Sequence, residues 1–210
     1  MKIVFNNVYL NFMGKNIFSS LNYEFTPNGI TLIKGANGSG KSTLLKLAAH
    51  ILSPTSGKIS MVDGENTLKG REYQKNMVMI TPEMKLYENL TAEENLKFFA
   101  GLRGVNLKDE EILALWERMG LNYEEIQNKH AQNLSTGMNQ RVKFAVFIAV
   151  NAPVWLLDEP TSNLDDAGRE VIIREVKKAK KEGKTVLWAS NDEREFSVAD
   201  AIIDLSKTEA

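Results

Sequence analysis

Cysteine is absent from this chain of 210 residues, which excludes disulfide bridges and thiolate metal sites. The charges nearly balance, with 26 basic and 27 acidic side chains, so no excess of positive charge indicates a nucleic-acid partner. The two histidines, His50 and His130, lack the spacing of metal ligands. No apolar run approaches the roughly 20 residues of a membrane helix, and Met1 opens no signal-peptide pattern. These features predict a soluble, cytoplasmic protein that does not bind nucleic acid.

A glycine-rich segment with the pattern Gly, four residues, Gly-Lys-Ser/Thr follows a β-prone stretch at 30–33 and precedes apolar residues at helical spacing. Its residues are Gly35, Ala36, Asn37, Gly38, Ser39, Gly40, Lys41, Ser42 and Thr43. Such glycines let backbone N–H groups point at a triphosphate, while Lys41 reaches the β- and γ-phosphates and Ser42 ligates Mg²⁺. The alternative is a glycine turn, and this pattern arises by chance in about one chain per hundred. The segment predicts binding of a nucleoside triphosphate.

Two carboxylates follow a second apolar stretch at 154–157. Four apolar residues before Asp158 and Glu159 indicate a strand that is buried on both faces and ends in acids at the carboxyl edge of a sheet. In nucleotide sites the first acid holds the Mg²⁺ shell and the second polarises the attacking water. The alternative is a structural strand end, but the phosphate loop upstream favours the functional interpretation.

The segment 134–141 has the pattern of a helix start, because apolar residues recur at helical spacing over 142–149. Ser135 is predicted to cap this helix, and Gly137 lets backbone amides approach a ligand closely. In isolation an ordinary capped helix is the simpler interpretation. Elsewhere, Thr91 and Glu94 form a predicted capping box, a further helix is predicted to end at Gly120, and another is predicted over about 166–181.

Taken in order, these segments resemble the ATPase subunits of ATP-binding-cassette (ABC) transporters over nearly the whole chain. The matching motifs are Walker A at 35–43, the start of the helical subdomain at 86–96, the signature at 134–141, Walker B at 154–159 and the D-loop at 162–165. The resemblance implies a P-loop NTPase α/β core with a mixed, largely parallel sheet, an antiparallel β subdomain and an inserted helical subdomain. Within one domain, 1–210, the core is expected at 1–82 and 143–210 and the helical subdomain at 83–142.

The resemblance also implies a head-to-tail dimer with two ATP molecules and Mg²⁺ at its interface. Each ATP is expected between Walker A of one copy and residues that the other copy supplies in trans, namely Ser135, Thr136, Gly137, Met138 and Asp165. Integral membrane subunits are expected to dock between the core and the helical part, at the inner face of the membrane. Phe12 matches the aromatic residue that stacks on adenine, although a lone aromatic can equally belong to the core.

Two positions depart from the family pattern. The usual Q-loop glutamine aligns with Pro82 without a gap and with Glu83 with a one-residue gap, and only Glu83 can reach Mg²⁺. Asn191 stands where the family has its switch histidine, and asparagine cannot carry a proton and positive charge as histidine does. Either hydrolysis is slow, or the chain forms one weakened site of a heterodimer.

The short chain and its Leu-Ser-Thr-Gly-Met signature are most similar to ABC-2-type exporters and to the haem-exporter ATPase of cytochrome c maturation. The expected function is therefore ATP-driven dimer closure that powers an exporter, with an identical or a different partner cassette. Two alternatives stay open. One is a soluble ABC ATPase that remodels ribosomes or assembles iron–sulfur clusters. The other is a nucleotide-gated module with very slow hydrolysis.

Overall fold

The computed structural model describes residues 1–12 and 14–206, and the strands within them form two sheets. The strands are β1 (Lys2–Phe12), β2 (Lys15–Glu24), β3 (Ile30–Lys34), β4 (Ser56–Asp63), β5 (Asn66–Leu68), β6 (Met77–Ile80), β7 (Val154–Asp158), β8 (Thr185–Ala189) and β9 (Ala201–Asp204). Their order is β2-β1-β4-β5 in one sheet and β6-β7-β8-β3-β9 in the other. This architecture confirms the predicted α/β fold with an antiparallel part.

The five-stranded sheet determines where the candidate site lies. Strand β3 runs parallel to both β8 and β9, and β7 runs parallel to β8. Every residue of β7 and β8 is buried, as expected for apolar strands covered on both faces. Because parallel strands end at the same edge of a sheet, the segments that follow β3, β7 and β8 all begin at one edge.

The four-stranded sheet is antiparallel in its three pairings, β1 with β2, β1 with β4, and β4 with β5. Asp63 pairs with Asn66, so the two residues between them form a tight hairpin loop. Gly64 in this loop has a φ of 59°, a left-handed conformation that glycine adopts without strain. This glycine therefore allows a two-residue loop to join β4 and β5.

The helices are α1 (Lys41–Ala48), α2 (Gly70–Lys75), α3 (Ala92–Leu102), α4 (Asp109–Arg118), α5 (Tyr123–Ile126), α6 (Thr136–Val150), α7 (Asp166–Lys181) and α8 (Glu193–Phe196). The capping box predicted before α3 is present. The Glu94 N–H donates to Thr91 Oγ1 at 3.1 Å, and the Thr91 N–H donates to the Glu94 carboxylate at 2.7 Å. This bond from the Thr91 backbone lowers the pKa of Glu94.

Internal contacts divide the chain into two units. The first comprises Met1–Met79, Ala152–Glu159 and the described residues of Lys177–Ala210. It contains both sheets, apart from the last residue of β6, together with α1. Its core is one apolar cluster to which both sheets and α1 contribute, with Phe5, Phe25, Leu44, Met61 and Leu156 among its fully buried members.

The second unit comprises Ile80–Asn151 and Pro160–Val176. In it, α3 and α4 both pack against α6. Its largest buried side chains include Leu96, Trp116, Phe144, Phe147 and Ile172. This unit takes in 143–151 and 160–176 besides the predicted helical subdomain 83–142, whose boundaries stay a prediction.

None of the helices within the described parts of the chain has both the length and the apolar character needed to span a bilayer.

Candidate functional site

The glycine-rich segment connects β3 directly to α1 and forms a tight loop at the carboxyl edge of the parallel sheet. Gly35 has a φ of 155°, and a Cβ atom at this position would lie only 2.5 Å from Ser39 Oγ. The Ser39 N–H donates to the Ala36 carbonyl at 3.1 Å, which closes the turn. Gly40 then enters α1 in the left-handed conformation, with a φ of 100°. Glycine at these two places lets the loop curl towards the positive end of α1.

Lys41 is the first residue of α1, and only 5% of its surface is exposed. Its Nζ donates to the Gly35 carbonyl at 2.7 Å and to the Ala36 carbonyl at 3.2 Å. The loop therefore holds an ammonium group inside its own curve. A cation in this position, beside a helix N-terminus, can neutralise a polyanion such as a triphosphate.

A cavity of about 350 Å³ opens at this loop. This volume lies in the lower part of the range of about 300–1,000 Å³ that is typical of ligand sites. The cavity brings together most of the predicted Walker A residues with the second Walker B carboxylate. Its lining residues are Ile17, Asn37, Gly38, Gly40, Lys41, Ser42, Thr43 and Glu159.

The two Walker B carboxylates end β7, as predicted. Asp158 is the last residue of the strand, pairs with Ala189 of β8, and is 2% exposed. Glu159 adds one more backbone hydrogen bond between the β7 and β8 segments, because its N–H donates to the Ala189 carbonyl at 3.0 Å. Its φ of 47° is in the left-handed region, which is costly for a residue with a side chain. Glu159 thus lines the cavity and has a strained backbone conformation.

Asn191 follows β8 and reaches the phosphate loop. Its Nδ2 donates to Asn37 Oδ1 at 3.0 Å, and Asn37 lines the cavity. The preceding residue is fixed to the same region, because the Ser190 N–H donates to the Ile33 carbonyl at 3.1 Å. The residue at the switch-histidine position therefore contacts the loop predicted to bind phosphate.

Two aspects of the cavity were not evident from the sequence. Ile17 of β2 lines the cavity, whereas Phe12, which is 54% exposed at the end of β1, is not among the lining residues. The adenine-stacking role of Phe12 stays a prediction. In addition, Ser39 Oγ is buried and makes no hydrogen bond within the part of the chain that the structure describes. A buried hydroxyl of this kind is available to a ligand oxygen.

The signature segment lies in the second unit and begins α6. Ser135 is the N-cap residue, and its side chain accepts a hydrogen bond from the Met138 N–H at 3.2 Å. The predicted cap is thus confirmed. Thr136 and Gly137 form the first turn of the helix, and a Cβ atom at Gly137 would lie 3.8 Å from Leu164 Cδ2. The N-terminus of α6 therefore packs close to the segment that precedes α7.

A second cavity, of about 430 Å³, lies within the second unit. It is bordered by the segment before α3, the start of α6 and the predicted D-loop. Its lining residues are Pro82, Met84, Lys85, Leu86, Glu88, Ala131, Gln132, Leu134, Thr136, Asn139, Gln140, Lys143, Ser162 and Asn163. Burial lowers the pKa of Lys143.

The remaining predicted residues are Asp165 and Glu83. Asp165 precedes α7, where its carboxylate accepts a hydrogen bond from the Gly168 N–H at 2.8 Å. Glu83 is exposed and belongs to the second unit, whereas Ser42 and Asp158 belong to the first. The described residues contain no cluster of three or more His, Cys, Asp or Glu side chains that could hold a metal ion. The metal role of Glu83 stays a prediction.

A glycine-rich loop between a buried strand and a helix, with an enclosed lysine and a carboxylate on the cavity wall, defines a P-loop nucleotide-binding protein. Residues 18–162 match the sequence pattern of the ABC transporter family, and the chain belongs to that family.

Curated relatives agree with this assignment. The energy-coupling factor transporter ATP-binding protein EcfA2 of Clostridium perfringens is 33% identical over 226 residues, which cover 100% of this chain and 78% of the relative. The cytochrome c biogenesis ATP-binding export protein CcmA of Sodalis glossinidius is 33% identical over 161 residues, which cover 76% of this chain and 74% of the relative. The predicted resemblance to ABC transporter ATPase subunits is confirmed.

A solved structure also matches. It is an ATP-binding cassette in a dimeric, post-hydrolysis state bound to ADP and Pi. It superposes on this chain with a TM-score of 0.84 and 26% sequence identity, over 96% of this chain and 93% of that one.

Proposed function

We propose that this chain is the ATP-hydrolysing subunit of an ABC transporter and works as one half of a head-to-tail dimer. The cavity in which Lys41, Ser42 and Glu159 meet is the observation that carries the proposal. A phosphate cradle alone would describe any nucleotide-binding protein. A carboxylate on its wall adds the group that hydrolysis requires.

The residues around the cavity fit a triphosphate with its magnesium ion. Lys41, the loop amides and the N-terminus of α1 supply positive charge, and Ser39 Oγ is a free polar group beside them. The Ser42 hydroxyl and the Asp158 carboxylate are oxygen ligands of the type that Mg²⁺ prefers. When bound, the ion neutralises charge on the β- and γ-phosphates.

Glu159 acts on the attacking water. Its carboxylate orients the water in line with the γ-phosphorus and accepts a proton from it. The new bond to phosphorus forms as the bond to the bridging oxygen breaks, and ADP and phosphate leave. Asn191 donates to the γ-phosphate from its position beside Asn37.

The partner copy completes each site. The α6 N-terminus is an anion site that binds the γ-phosphate of the ATP held by the other copy. Ser135 caps this helix, and Gly137 in its first turn has no side chain to block the phosphate. Thr136, Met138 and Asp165 join the same trans surface, and Phe12 stacks on adenine in the copy that holds the loop. The relative solved as a dimer with ADP and Pi supports this arrangement.

The transport partner is an integral membrane protein that this chain joins at the inner face of the membrane. The name of the relative CcmA supports export as the direction. Purification of the tagged chain from detergent-solubilised membranes is expected to recover an integral membrane protein with it. Recovery of ribosomes or iron–sulfur assembly proteins instead would favour a soluble ABC ATPase and contradict the transport role.

Slow basal turnover is expected because Asn191 replaces a histidine. Asparagine offers only a neutral donor to the γ-phosphate, and charge-assisted hydrogen bonds are about twice as strong as neutral ones. A loss of about 1 to 3 kcal/mol of transition-state stabilisation slows turnover by roughly fivefold to 150-fold. Asn191→His is therefore expected to raise kcat by at least several-fold, measured as steady-state phosphate release at saturating Mg-ATP.

The control is Asn151→His, which changes an asparagine at the end of α6 in the second unit. It should leave turnover unchanged within about twofold. A parent protein that already hydrolyses ATP at the ordinary enzyme rate of about 10 per second, with no gain in Asn191→His, would contradict the assigned role of Asn191.

A further inference from the structure

The backbone at Glu159 requires an explanation that the phosphate loop does not supply. Glu159 has a left-handed φ of 47°, and the residue after it is proline. A residue before proline prefers an extended backbone, and the left-handed region is costly for any residue with a side chain. A conformation of this kind persists only where the surrounding structure fixes it, and such positions cluster at active sites.

Two hydrogen bonds fix the chain on either side of this residue. On the N-terminal side, the Glu159 N–H donates to the Ala189 carbonyl at 3.0 Å. On the C-terminal side, Gln140 Nε2 donates to the Pro160 carbonyl at 2.9 Å, and this bond is buried. Gln140 belongs to the first turns of α6, the helix that begins with the signature residues.

The position of this second bond is informative because the chain passes from one unit to the other at this point. Glu159 is the last residue of its segment in the first unit, and Pro160 is the first residue of the next segment in the second. Gln140 is only 9% exposed, and its amide donates to the Pro160 carbonyl. Four residues after Pro160, Leu164 places its Cδ2 3.8 Å from where a Cβ atom of Gly137 would lie, so the same segment approaches α6 a second time.

We infer that Gln140 is a positioning residue that holds Glu159 of its own chain in its catalytic conformation, and thereby links the signature helix to hydrolysis in the same copy. This inference rests on the proposed function, because it assumes that Glu159 acts on water and that α6 contacts the partner's ATP. When the signature helix of one copy binds the partner's ATP, the bond from Gln140 to the Pro160 carbonyl would then affect the position of Glu159 in that same copy.

The first test separates kcat from KM. Gln140→Met keeps the length of the side chain and removes the amide that donates to the Pro160 carbonyl. Gln140→Glu is a second variant, which keeps the shape of the side chain and also removes this amide donor. Misplacement of a catalytic group by about 1 Å costs up to about a hundredfold, so kcat is expected to fall by roughly tenfold to a hundredfold. KM for ATP should stay within about twofold, because the phosphate loop is untouched. Lys143→Met, on the same helix and cavity, should leave both constants unchanged.

The second test asks on which copy Gln140 acts, which a general loss of stability could not answer. Two full chains are joined by a flexible linker, and Glu159→Gln inactivates one of the two sites. With Gln140→Met in the same copy as Glu159→Gln, the remaining site keeps its own Gln140, so activity should equal that of the Glu159→Gln tandem alone. With the two changes in different copies, activity should fall by roughly tenfold to a hundredfold.

Three results would decide against the inference or its basis. The reverse pattern would mean that Gln140 acts on the partner's nucleotide through the signature, and equal activities would mean that it positions nothing. Both results overturn this inference while leaving the ATPase assignment intact. A parent tandem without Mg²⁺-dependent phosphate release would instead overturn the proposed function itself.

Discussion

Replacing Lys41 with alanine is expected to raise the Kd for ATP by about tenfold to a hundredfold. The ammonium group is held in the curve of the loop by the Gly35 and Ala36 carbonyls. A hydrogen bond to a charged group contributes about 1.5 to 3 kcal/mol, and each 1.4 kcal/mol is a factor of ten in Kd. Isothermal calorimetry with Mg-ATP measures the change directly.

The control for this variant is Lys46→Ala, which removes a lysine from the same helix outside the cavity. It should leave the Kd within about twofold. The thermal midpoint of Lys41→Ala should stay within a few degrees of the parent's, because its polar contacts lie within the loop and not in the apolar core. Unchanged ATP affinity in a folded Lys41→Ala protein would show that the cavity is not the phosphate site.

Replacing Glu159 with glutamine is expected to lower turnover by about a hundredfold or more while ATP binding is retained. General acid–base groups contribute about 10²- to 10⁴-fold, and glutamine keeps the shape of the side chain without a carboxylate to accept the proton. The left-handed backbone at this position costs glutamine about as much as glutamate, so the fold should persist. Because ATP is bound but not cleaved, the variant should accumulate as a closed dimer on gel filtration with Mg-ATP.

Glu170→Gln provides the matched control, since it removes an exposed carboxylate on α7. It should retain parental turnover and should not accumulate as a dimer. If Glu159→Gln eluted only as a monomer and hydrolysed ATP at the parental rate, both the catalytic role of Glu159 and the dimer mechanism would be wrong.

The parts of the fold that the sequence predicted are those with strong local signals. Strand β3 contains the β-prone stretch 30–33, β7 begins with four consecutive apolar residues, α3 begins with a capping box, and α7 has the bounds predicted for a helix over about 166–181. The parallel sheet follows from these elements because its strands are buried on both faces. The Walker A loop also depends on residues close in sequence, because Lys41 donates to the Gly35 carbonyl only six residues earlier.

The parts that the sequence did not predict depend on contacts between distant residues. Strand β2 carries many polar residues and pairs with β1, and Ile17 on this strand lines the cavity. The left-handed backbone of Glu159 depends on Ala189, which is distant in sequence. The bond from Gln140 to Pro160 spans 20 residues, and no local pattern indicates it. Contacts of this kind can be seen only in the folded chain.

In the proposed dimer, ATP lies between the phosphate loop of one copy and the signature helix of the other. Because the chain has no cysteine, two single-cysteine variants can test it directly. Asn37→Cys and Met138→Cys are each introduced into the Glu159→Gln protein, mixed in equal amounts and treated with a short bis-maleimide. A crosslinked dimer is predicted only in the mixture and only with Mg-ATP. The head-to-tail ATP sandwich would be contradicted by a crosslinked dimer that forms without ATP or in either variant alone. It would also be contradicted if the mixture with Mg-ATP gave no crosslinked dimer.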